Sequence, residues 1–324
     1  MQEKPNELCP VCDSAQTYRI INWNEYSIRH CKKCILMYAH PFPTEEFLNE
    51  FYQGFLFNIP EKKEVRQQID NRKSELNRLF DFNTEKGMFL DNGGGTGSAY
   101  KAASELNLSS YYHDLDKEAE TFVINEHGLK PEFIIDNVKN STIHFDYIFS
   151  DNVIEHLLDP IDYVKEMREV LNKDGQIIIK TPHGKNTELF FYPLITIREY
   201  FLKAIKYNSL LKSLQAYFKR FWHCDPPRHV YSFSDKNLRI IGRKAGFKES
   251  EIEVLYYRLP LFQYSLTSAV FNFKKRHSLK TILLRIIVLP IVALEIFTKV
   301  VQYVLVKIKV LTPGGIILKL KKLD

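Results

Sequence analysis

The sequence predicts an α/β protein built on a doubly wound, largely parallel sheet. Between residues 87 and 181, short apolar runs alternate with amphipathic helical patterns, as expected of strands covered by helices on both faces. Within this region, Phe89–Tyr100 (FLDNGGGTGSAY) places four glycines directly after an apolar run. The 324 residues are 45% hydrophobic and 26% charged, a composition typical of a folded globular protein and not of a disordered chain.

Hydrophobic periodicity sets the bounds of the predicted elements. The predicted strands are Met88–Asp91, Ser110–Asp114, Phe133–Asp136, Phe145–Ser150, Gln176–Thr181, Phe247–Tyr257 and Ile316–Lys321. The first helical pattern begins with TEEF, which has the form of a capping box, and the second is highly charged with apolar residues at intervals. The predicted helices are Thr44–Tyr52, Glu61–Phe80, Ser98–Leu106, Lys117–His127, Pro160–Leu171 and Ser234–Ala245.

Four of the five cysteines lie near the amino terminus as CPVC and CKKC, separated by eighteen residues. This is the spacing of two zinc knuckles, each supplying two sulfurs to a tetrahedral ion. Because four sulfurs leave no open position, a structural zinc site is favoured over a catalytic one. The predicted ligands are Cys9, Cys12, Cys31 and Cys34. The fifth, Cys224, stands alone and is expected to be packed and inert.

Charge and the first residues narrow the class of protein. The net charge is +6 and the pI is about 8.8, too weakly basic to indicate nucleic acid on that ground alone. The first ten residues, MQEKPNELCP, are polar and predict no export signal. We therefore expect a cytoplasmic protein with reduced cysteines, which favours a metal site over disulfides.

The glycine run predicts a tight turn between a strand and a helix N-terminus, where backbone N–H groups can approach a ligand closely. A dinucleotide turn reads G-x-G-x-x-G, but Ser98 stands where its third glycine is required. The chain reads instead as an acidic residue followed by G-x-G-x-G: Asp91, Gly93, Gly95 and Gly97. This pattern resembles motif I of class I S-adenosylmethionine (SAM)-dependent methyltransferases, and Asp91 would meet the charged amino-acid end of SAM.

A second carboxylate is expected at the end of the next strand, where it accepts hydrogen bonds from ribose hydroxyls. Asp114 lies seventeen residues after Gly97 and fits this place. Asp116 begins the following helix and is expected to be its N-cap.

Three later segments extend the resemblance, in the same order as in the family: FDYIFSDNVIEHLLDP, LNKDGQIIIKTP and CDPPRHVYSFSDKNLRIIGRKAGF. They resemble the strand-4, strand-5 and pre-strand-6 segments of the ubiquinone-biosynthesis-like methyltransferases (types 11 and 23). The cysteine knuckles followed by CILMYAHPFP resemble the zinc-ribbon head found on many members. The resemblance implies a Rossmann-like sheet of seven strands, six parallel and the last antiparallel, with SAM as cofactor and a structural Zn²⁺.

The resemblance also implies positions for further cofactor-binding residues. Asp136 and Asn137 would lie near the adenine, with an ordinary turn pair as the alternative. Asp151 and Asn152 would lie after strand 4, at the mouth of the cofactor site.

Two histidines are candidates for the general base that methyl transfer to a hydroxyl would use. His156 follows the fourth strand, at the edge where open α/β sheets bind ligands. His229 follows Asp225–Arg228, a rigid loop expected to close over the site. A structural role is the alternative for each. Some relatives hold a divalent ion with E-x-x-E-H, but here Asn152 replaces the first carboxylate, which argues against a catalytic metal.

Two stretches depart from the core pattern. Leu189–Trp222 is aromatic and basic, and Leu279–Val310 is strongly apolar. The longest charge-free run of the second, Ile286–Leu294, is too short to span a membrane and contains Pro290. A core-facing helix pair is one interpretation; a helix lying on a membrane surface, or over a greasy substrate, is the other.

The predicted organisation is a zinc ribbon at 1–43, a helical linker at 44–86, a SAM-binding core at 87–258 with a helical insertion at about 186–222, an apolar and basic helical insertion at 259–312, and a final core strand at 313–324.

We therefore predict a SAM-dependent methyltransferase that modifies a hydroxyl or carbon of a small-molecule, saccharide or lipid-linked acceptor, the last with peripheral contact at the inner face of a membrane. One alternative is a non-catalytic SAM-fold protein whose zinc ribbon binds nucleic acid or protein. The intact acidic residues and glycines oppose it, and Asp13–His30 carries only two arginines and no lysine. The other is an NAD(P)-dependent oxidoreductase, which Ser98 disfavours.

Overall fold

The apolar runs form two sheets in the computed structural model, which describes residues 8–23, 25–53, 60–82, 86–187, 223–258 and 279–323. The strands are β1 (Thr17–Trp23), β2 (Tyr26–Cys31), β3 (Met37–His40), β4 (Met88–Asn92), β5 (Ser109–His113), β6 (Phe145–Asp151), β7 (Leu171–Pro182), β8 (Tyr231–Ser232), β9 (Ile252–Tyr257) and β10 (Gly315–Lys321). The α-helices are α1 (Glu45–Tyr52), α2 (Lys62–Leu79), α3 (Ser98–Glu105), α4 (Lys117–His127), α5 (Pro160–Glu169), α6 (Asp235–Lys244) and α7 (Leu279–Lys307).

The larger sheet has the strand order β5-β4-β6-β7-β10-β9. Its first four strands run parallel, and β10 is antiparallel, exchanging backbone hydrogen bonds with the start of β7 through Lys322. The central strands are almost wholly buried, since helices cover both faces. The doubly wound α/β class with a final antiparallel strand is therefore confirmed, and the carboxyl ends of β4, β5 and β6 form one edge where ligands bind in such sheets.

The described sheet has six strands because the run expected at Phe133–Asp136 does not form a full strand. A 3₁₀ turn at Pro131–Phe133 precedes it, and only Ile134 makes a parallel bridge, to Tyr112. The N–H of Ile135 still donates to the Tyr112 carbonyl at 2.9 Å. The segment thus lies beside β5 where a strand would pair, but the turn leaves too few extended residues for a ladder.

Two other strands differ from their predicted bounds by more than one residue. The strand predicted at Gln176–Thr181 extends as β7 over Leu171–Pro182, because Gly175 and its neighbours also pair with the last strand. The strand predicted from Phe247 begins only at Ile252, because Glu249–Glu251 forms a 3₁₀ turn.

Helix caps explain why several helices begin where the sequence indicated. Thr44 caps α1 by accepting from the Phe47 N–H at 3.2 Å. Asp116 is the N-cap of α4, as expected, and accepts from the Glu118 N–H at 2.9 Å. At α5, Asp159 is the N-cap and Pro160 is the first helical residue, a position that suits proline because no helical N–H is needed there.

The smaller sheet has the order β1-β2-β3-β8 and is antiparallel throughout. Its last strand comes from Tyr231–Ser232, far along the chain, and pairs with Met37 and Tyr38. Asn237, buried on α6, forms a capping box with Ser234 and also donates to the Cys34 carbonyl at 3.4 Å. The amino-terminal region is thereby joined to residues that follow the central strands.

The apolar carboxyl-terminal stretch forms one 29-residue helix, α7, with Pro290 inside it, and not a pair of helices. Among the described residues, no helix combines the length and the apolar character needed to cross a membrane. The aromatic and basic stretch Leu189–Trp222 lies outside the described residues. The chain divides into two compact units, one of residues 1–181, 224–255 and 317–324, the other of residues 182–223 and 256–316.

Replacing Asn237 by alanine will destabilise the protein. The change removes the side-chain half of the capping box, in which Asn237 accepts from the Ser234 N–H and donates to the Ser234 hydroxyl, and leaves the buried Cys34 carbonyl without this donor. We expect the free energy of unfolding to fall by about 1–3 kcal/mol, measured by denaturant unfolding. Lys236→Ala, one residue away on the exposed face, is the control and should change it by less than about 0.5 kcal/mol. Equal stability of the two variants would contradict the assigned role.

Candidate functional site

The glycine turn leaves β4 at the carboxyl edge of the sheet and enters α3. The N–H groups of Gly93 and Gly94 both donate to the His113 carbonyl, at 2.8 and 3.1 Å, which pins the turn to the end of β5. Gly93, Gly95 and Gly97 have φ of +76°, +50° and +67°, a region that residues with a side chain rarely adopt. Each of the three matched glycines therefore occupies a position where the turn requires a left-handed backbone conformation.

Close packing adds a second requirement at two of these positions. A Cβ on Gly93 would lie 2.4 Å from Val153 Cγ2, and one on Gly97 would lie 2.7 Å from Val123 Cγ2. A Cβ on Gly95 would meet no atom of the described chain within 4 Å. The turn is thus closed on the protein at its two ends and open at Gly95, where a ligand could approach the backbone.

Asp91 lies at the end of β4 and is buried beneath the turn. Its Oδ2 accepts a hydrogen bond from the Tyr100 N–H at 2.8 Å, which ties the strand to the first turn of α3. Burial raises the pKa of this carboxyl to about 7. The geometry gives Asp91 a role in shaping the turn; its contact with the amino-acid end of a cofactor stays a prediction.

Asp114 follows β5 and is hydrogen-bonded directly to the glycine turn. One carboxylate oxygen accepts from the Gly95 N–H at 2.7 Å and the other from the Asp116 N–H at 2.8 Å. Burial raises its pKa, although the two N–H donors oppose this. Each oxygen keeps a further lone pair, so the carboxylate can still accept from ligand hydroxyls beside the open position at Gly95.

Asn92 is a site candidate that sequence reasoning missed. It is buried between Asp91 and the first glycine, and its Nδ2 has no hydrogen-bond partner in the described part of the chain. A buried amide without a partner is costly, and a ligand acceptor at this edge would satisfy it. A polar residue ending an otherwise apolar strand was the available signal.

Asp136 and Asn137 follow the bridge to β5 and are exposed. Asn137 Oδ1 accepts from the Asn140 N–H at 3.2 Å, which is a turn interaction. The His113 ring and the Ile135 carbonyl, 2.6 Å apart, hold this loop against the carboxyl end of β5. The loop therefore lies on the edge that carries Asp114, and an adenine contact stays a prediction.

Asp151, at the end of β6, belongs to a cluster of four charged side chains. Its Oδ2 accepts from Arg72 at 2.8 Å and from Lys180 at 3.0 Å, and Glu75 binds the same two cations at 2.6 and 2.8 Å. Burial opposes ionisation of Asp151, but the charges of Lys180 and Arg72 outweigh it and lower its pKa. Both cations also lie over the Phe149 ring. The cluster joins α2 to the sheet edge, while cofactor contact by Asp151 stays a prediction.

The structure brings the two candidate histidines together. Their ring centroids are 4.7 Å apart. His156 Nδ1 lies 2.8 Å from the Arg228 carbonyl oxygen and 2.9 Å from the Tyr52 hydroxyl, and His229 Nδ1 lies 2.7 Å from Asp225 Oδ1. Nothing in the sequence spacing indicated this contact, because 73 residues separate the two histidines.

These partners determine the ring tautomers. A carbonyl oxygen and a carboxylate can only accept, so each histidine carries its proton on Nδ1 and keeps a lone pair on Nε2. In the neutral form of each ring, Nε2 is the atom that can accept a proton, and the Nδ1 of one ring, His229, is held by a carboxylate. Burial lowers the pKa of His156 to about 4, with a further contribution from His229.

Glu155 is buried beside the histidine pair. Its Oε2 accepts from the Thr181 hydroxyl at 3.0 Å, and its Oε1 has no partner in the described part of the chain. One donor atom each of Glu155, His156 and His229 lie within 4.8 Å of one another, so this trio could hold a divalent cation. Asn152, which occupies the first position of the E-x-x-E-H pattern, is exposed and donates to Asp151 instead.

Contacts connect the histidine pair with the glycine turn. Val153 packs against Gly93, three residues before His156. At the end of α1, Tyr52 bonds His156 while the next residue, Gln53, donates to the Leu115 carbonyl at 2.8 Å, beside Asp114. These contacts join the segments that carry the histidine pair to those that carry the glycine turn and Asp114.

The four amino-terminal cysteines also come together. The Sγ atoms of Cys9 and Cys34 are 3.5 Å apart, as are those of Cys12 and Cys31, and all four lie within 4.8 Å of one another. A tetrahedral zinc–thiolate centre has sulfurs about 3.8 Å apart, so the donor set fits that ion. Cys224 is buried apart from this cluster and its thiol points to the Val230 carbonyl, as expected of an inert cysteine.

Comparison with family models matches residues 63–251 to a model described as a methyltransferase domain. Similar solved structures include a SAM-dependent methyltransferase from Archaeoglobus fulgidus, with 14% identity, coverage of 81% of this chain and 97% of that one, and a TM-score of 0.46. Another is phosphoethanolamine N-methyltransferase 2 from Haemonchus contortus, with 18% identity, coverage of 78% and 53%, and a TM-score of 0.48.

A comparison with curated proteins found no match. The structural similarities are too distant to identify an acceptor, so the assignment depends on the family model. That match spans more than half of the chain and contains the acidic glycine turn, Asp114 and the histidine pair. The chain therefore belongs to the methyltransferase-domain family of SAM-dependent methyltransferases.

Proposed function

We propose that the chain transfers the methyl group of SAM to an acceptor hydroxyl, with His229 as the general base. The acceptor class is a small molecule, a saccharide or a lipid-linked intermediate, and transfer to an acidic carbon is the variant that the same base would serve. The observation that carries the proposal is the close pairing of His156 with His229, whose Nδ1 lies 2.7 Å from Asp225 Oδ1.

When bound, SAM supplies a methyl group on a positively charged sulfur, which is already activated for displacement. The residues of this chain then have to bind, align and remove a proton. Asp114 accepts from the ribose hydroxyls, and the unpaired Asn92 amide supplies a further donor at the same edge. Asp136, Asn137 and Asp151 are proposed to line the remainder of the cofactor site.

His229 is preferred over His156 as the base because of what holds each ring. As His229 takes the acceptor proton on Nε2, the Asp225 carboxylate stabilises the imidazolium that forms. His156 has a carbonyl in that place, and burial lowers its pKa to about 4, which disfavours its charged form. We assign His156, held by Tyr52 and Arg228, to positioning the acceptor and the His229 ring.

We further propose that the four cysteines hold a structural zinc ion, as in the zinc-ribbon heads of the ubiquinone-biosynthesis-like branch of the family. The four-sulfur donor set, with no position left for a substrate, supports this. None of the five cysteines is paired in a disulfide, which fits the reducing, cytoplasmic location that we propose.

Asp114→Ala will weaken SAM binding by about 10- to 100-fold, because a charged acceptor for the ribose is lost. Titration calorimetry with SAM measures this directly. The matched control is Asp116→Ala, which removes a helix cap in the same loop and should leave SAM affinity within about twofold. Unchanged affinity in Asp114→Ala would overturn the ribose assignment.

His229→Ala will lower turnover by about 10²- to 10⁴-fold while SAM affinity changes little. Turnover is measured as S-adenosylhomocysteine released with lipid, glycan and small-molecule fractions of a lysate. His144→Ala, an exposed histidine on another loop, is the control. Each assay is run with a chelator and with added Mg²⁺, because the Glu155 trio could also bind a cation. Wild-type turnover in His229→Ala would exclude it as the base.

The purified protein will contain about one zinc per chain, and Cys34→Ser will lose it. Elemental analysis gives the metal content, and thermal unfolding should show a lower midpoint after zinc removal, because metal binding stabilises the folded ribbon. Cys224→Ala should keep its zinc. A wild-type protein that unfolds at the same temperature with and without zinc would refute a structural site.

A further inference from the structure

Helix α7 has its polarity reversed relative to a helix that packs on a core. Among the α7 side chains that the structure describes, two polar ones face inward: Lys299 is 3% exposed and Gln302 is fully buried. Most of the large apolar side chains described on this helix face outward, with Leu294 at 62% and Phe297 at 63% exposure. A helix that packs on a core shows the opposite arrangement, with its apolar stripe buried and its charged side chains in water.

The exposed apolar residues form one continuous stripe. Steps of three and four residues put side chains on the same face of a helix, and the exposed residues follow that spacing. We call these six the outer stripe: Leu294, Ile296, Phe297, Val300, Tyr303 and Val304. The inward residues Lys299, Gln302 and Val306 repeat on the opposite face with similar spacing. At about 1.5 Å per residue the stripe is about 15 Å long, with Ile308 and Val310 exposed just beyond the helix.

Charge is distributed very unevenly between the two units of the chain. Residues 182–223 and 256–316 contain 16 lysines and arginines against three acidic residues, whereas the remainder contains 29 against 36. The unit that carries α7 therefore has a formal charge of +13, although the whole chain has only +6. Exposed Lys307 and Lys309 follow the outer stripe, and the Arg258 guanidinium lies 4.5 Å from the centroid of the Tyr303 ring.

We propose that α7 lies in the headgroup region of an anionic lipid bilayer, with the outer stripe inserted among the acyl chains. An apolar helix face bordered by cations is the arrangement that binds at such a surface, where burial of apolar area and attraction to anionic headgroups act together. The aromatic side chains of Phe297 and Tyr303 suit the boundary between headgroups and acyl chains.

The observations disfavour two other occupants. A second copy of the chain would bring two units of charge +13 together, and their repulsion opposes a contact through this face. Nucleic acid would neutralise the positive charge of the unit, but its phosphates would not bury the apolar side chains of Leu294, Phe297 and Val300. The proposal does not depend on methyl transfer, and its test requires no acceptor.

The test is flotation of the full-length chain with two kinds of vesicle. One is phosphatidylcholine alone, and the other contains about 30% phosphatidylglycerol, which is on the order of the anionic content of natural membranes. We expect binding to the anionic vesicles that weakens with salt and is absent without the anionic lipid. Phe297→Glu/Val300→Glu should lower the bound fraction by about tenfold or more, because it removes apolar area from the stripe and adds negative charge. SAM binding of the variant shows that it is folded.

Phe47→Glu/Ile124→Glu is the matched control, since it changes the net charge equally at exposed apolar residues of α1 and α4. It should bind vesicles as the wild type does. The proposal is overturned if the wild type binds neither vesicle, or if both double variants lose binding equally. Light scattering that shows a wild-type dimer, dissociated by Phe297→Glu/Val300→Glu but not by the control, would also overturn it. So would binding of an RNA oligonucleotide that both variants retain, if vesicles do not bind.

Discussion

The site depends on the close approach of Val153 to Gly93. Because no Cβ can stand at Gly93, the loop that leaves β6 packs directly on the turn that leaves β4. The same turn is held from the other side by the His113 carbonyl and by Asp114. Three neighbouring strands therefore deliver their carboxyl ends to one place, and the rest of the site is arranged around that contact. Any side chain at Gly93 would separate the cofactor turn from the loop that carries Glu155 and His156.

Around this contact, hydrogen bonds orient polar side chains so that their remaining donor and acceptor atoms can interact with a ligand. Asp225 and the Arg228 carbonyl each hold one imidazole by Nδ1 and so leave both Nε2 lone pairs available. Burial keeps Glu155 and His156 in their neutral forms, with pKa values of about 8 and about 4. The ion cluster of Arg72, Glu75, Asp151 and Lys180 balances its own charges and fixes α2 against the sheet edge. The arrangement favours alignment and proton removal, which are the demands of methyl transfer.

Sequence patterns predicted those parts of the fold that depend on interactions between residues close together in the chain. The turn glycines, the Asp116 cap and the bounds of α4 follow from dihedral and capping requirements that neighbouring residues meet among themselves. The pairing of His156 with His229, the contact of Tyr52 with His156, and the joining of β8 to β3 bring together residues 73 to 195 positions apart. The hydrophobic periodicity of the sequence does not predict contacts between such distant residues. Asn92 was overlooked because the absence of a partner is visible only once its neighbours are in place. Burial of Lys299 likewise follows from packing and not from composition.

The pairing of β8 with β3, and the bond between Tyr52 and His156, bear on how this protein could have been assembled. A zinc ribbon at the start of a chain looks like an exchangeable module that could be added to or removed from a complete enzyme. Here β8, the carboxyl-terminal partner of the small sheet that carries the four cysteines, begins two residues after His229, and α1, which follows that sheet, holds the other histidine through Tyr52. Deleting the first 53 residues would expose the β8 edge and release His156, so the four-cysteine segment cannot be exchanged without disturbing the histidine pair.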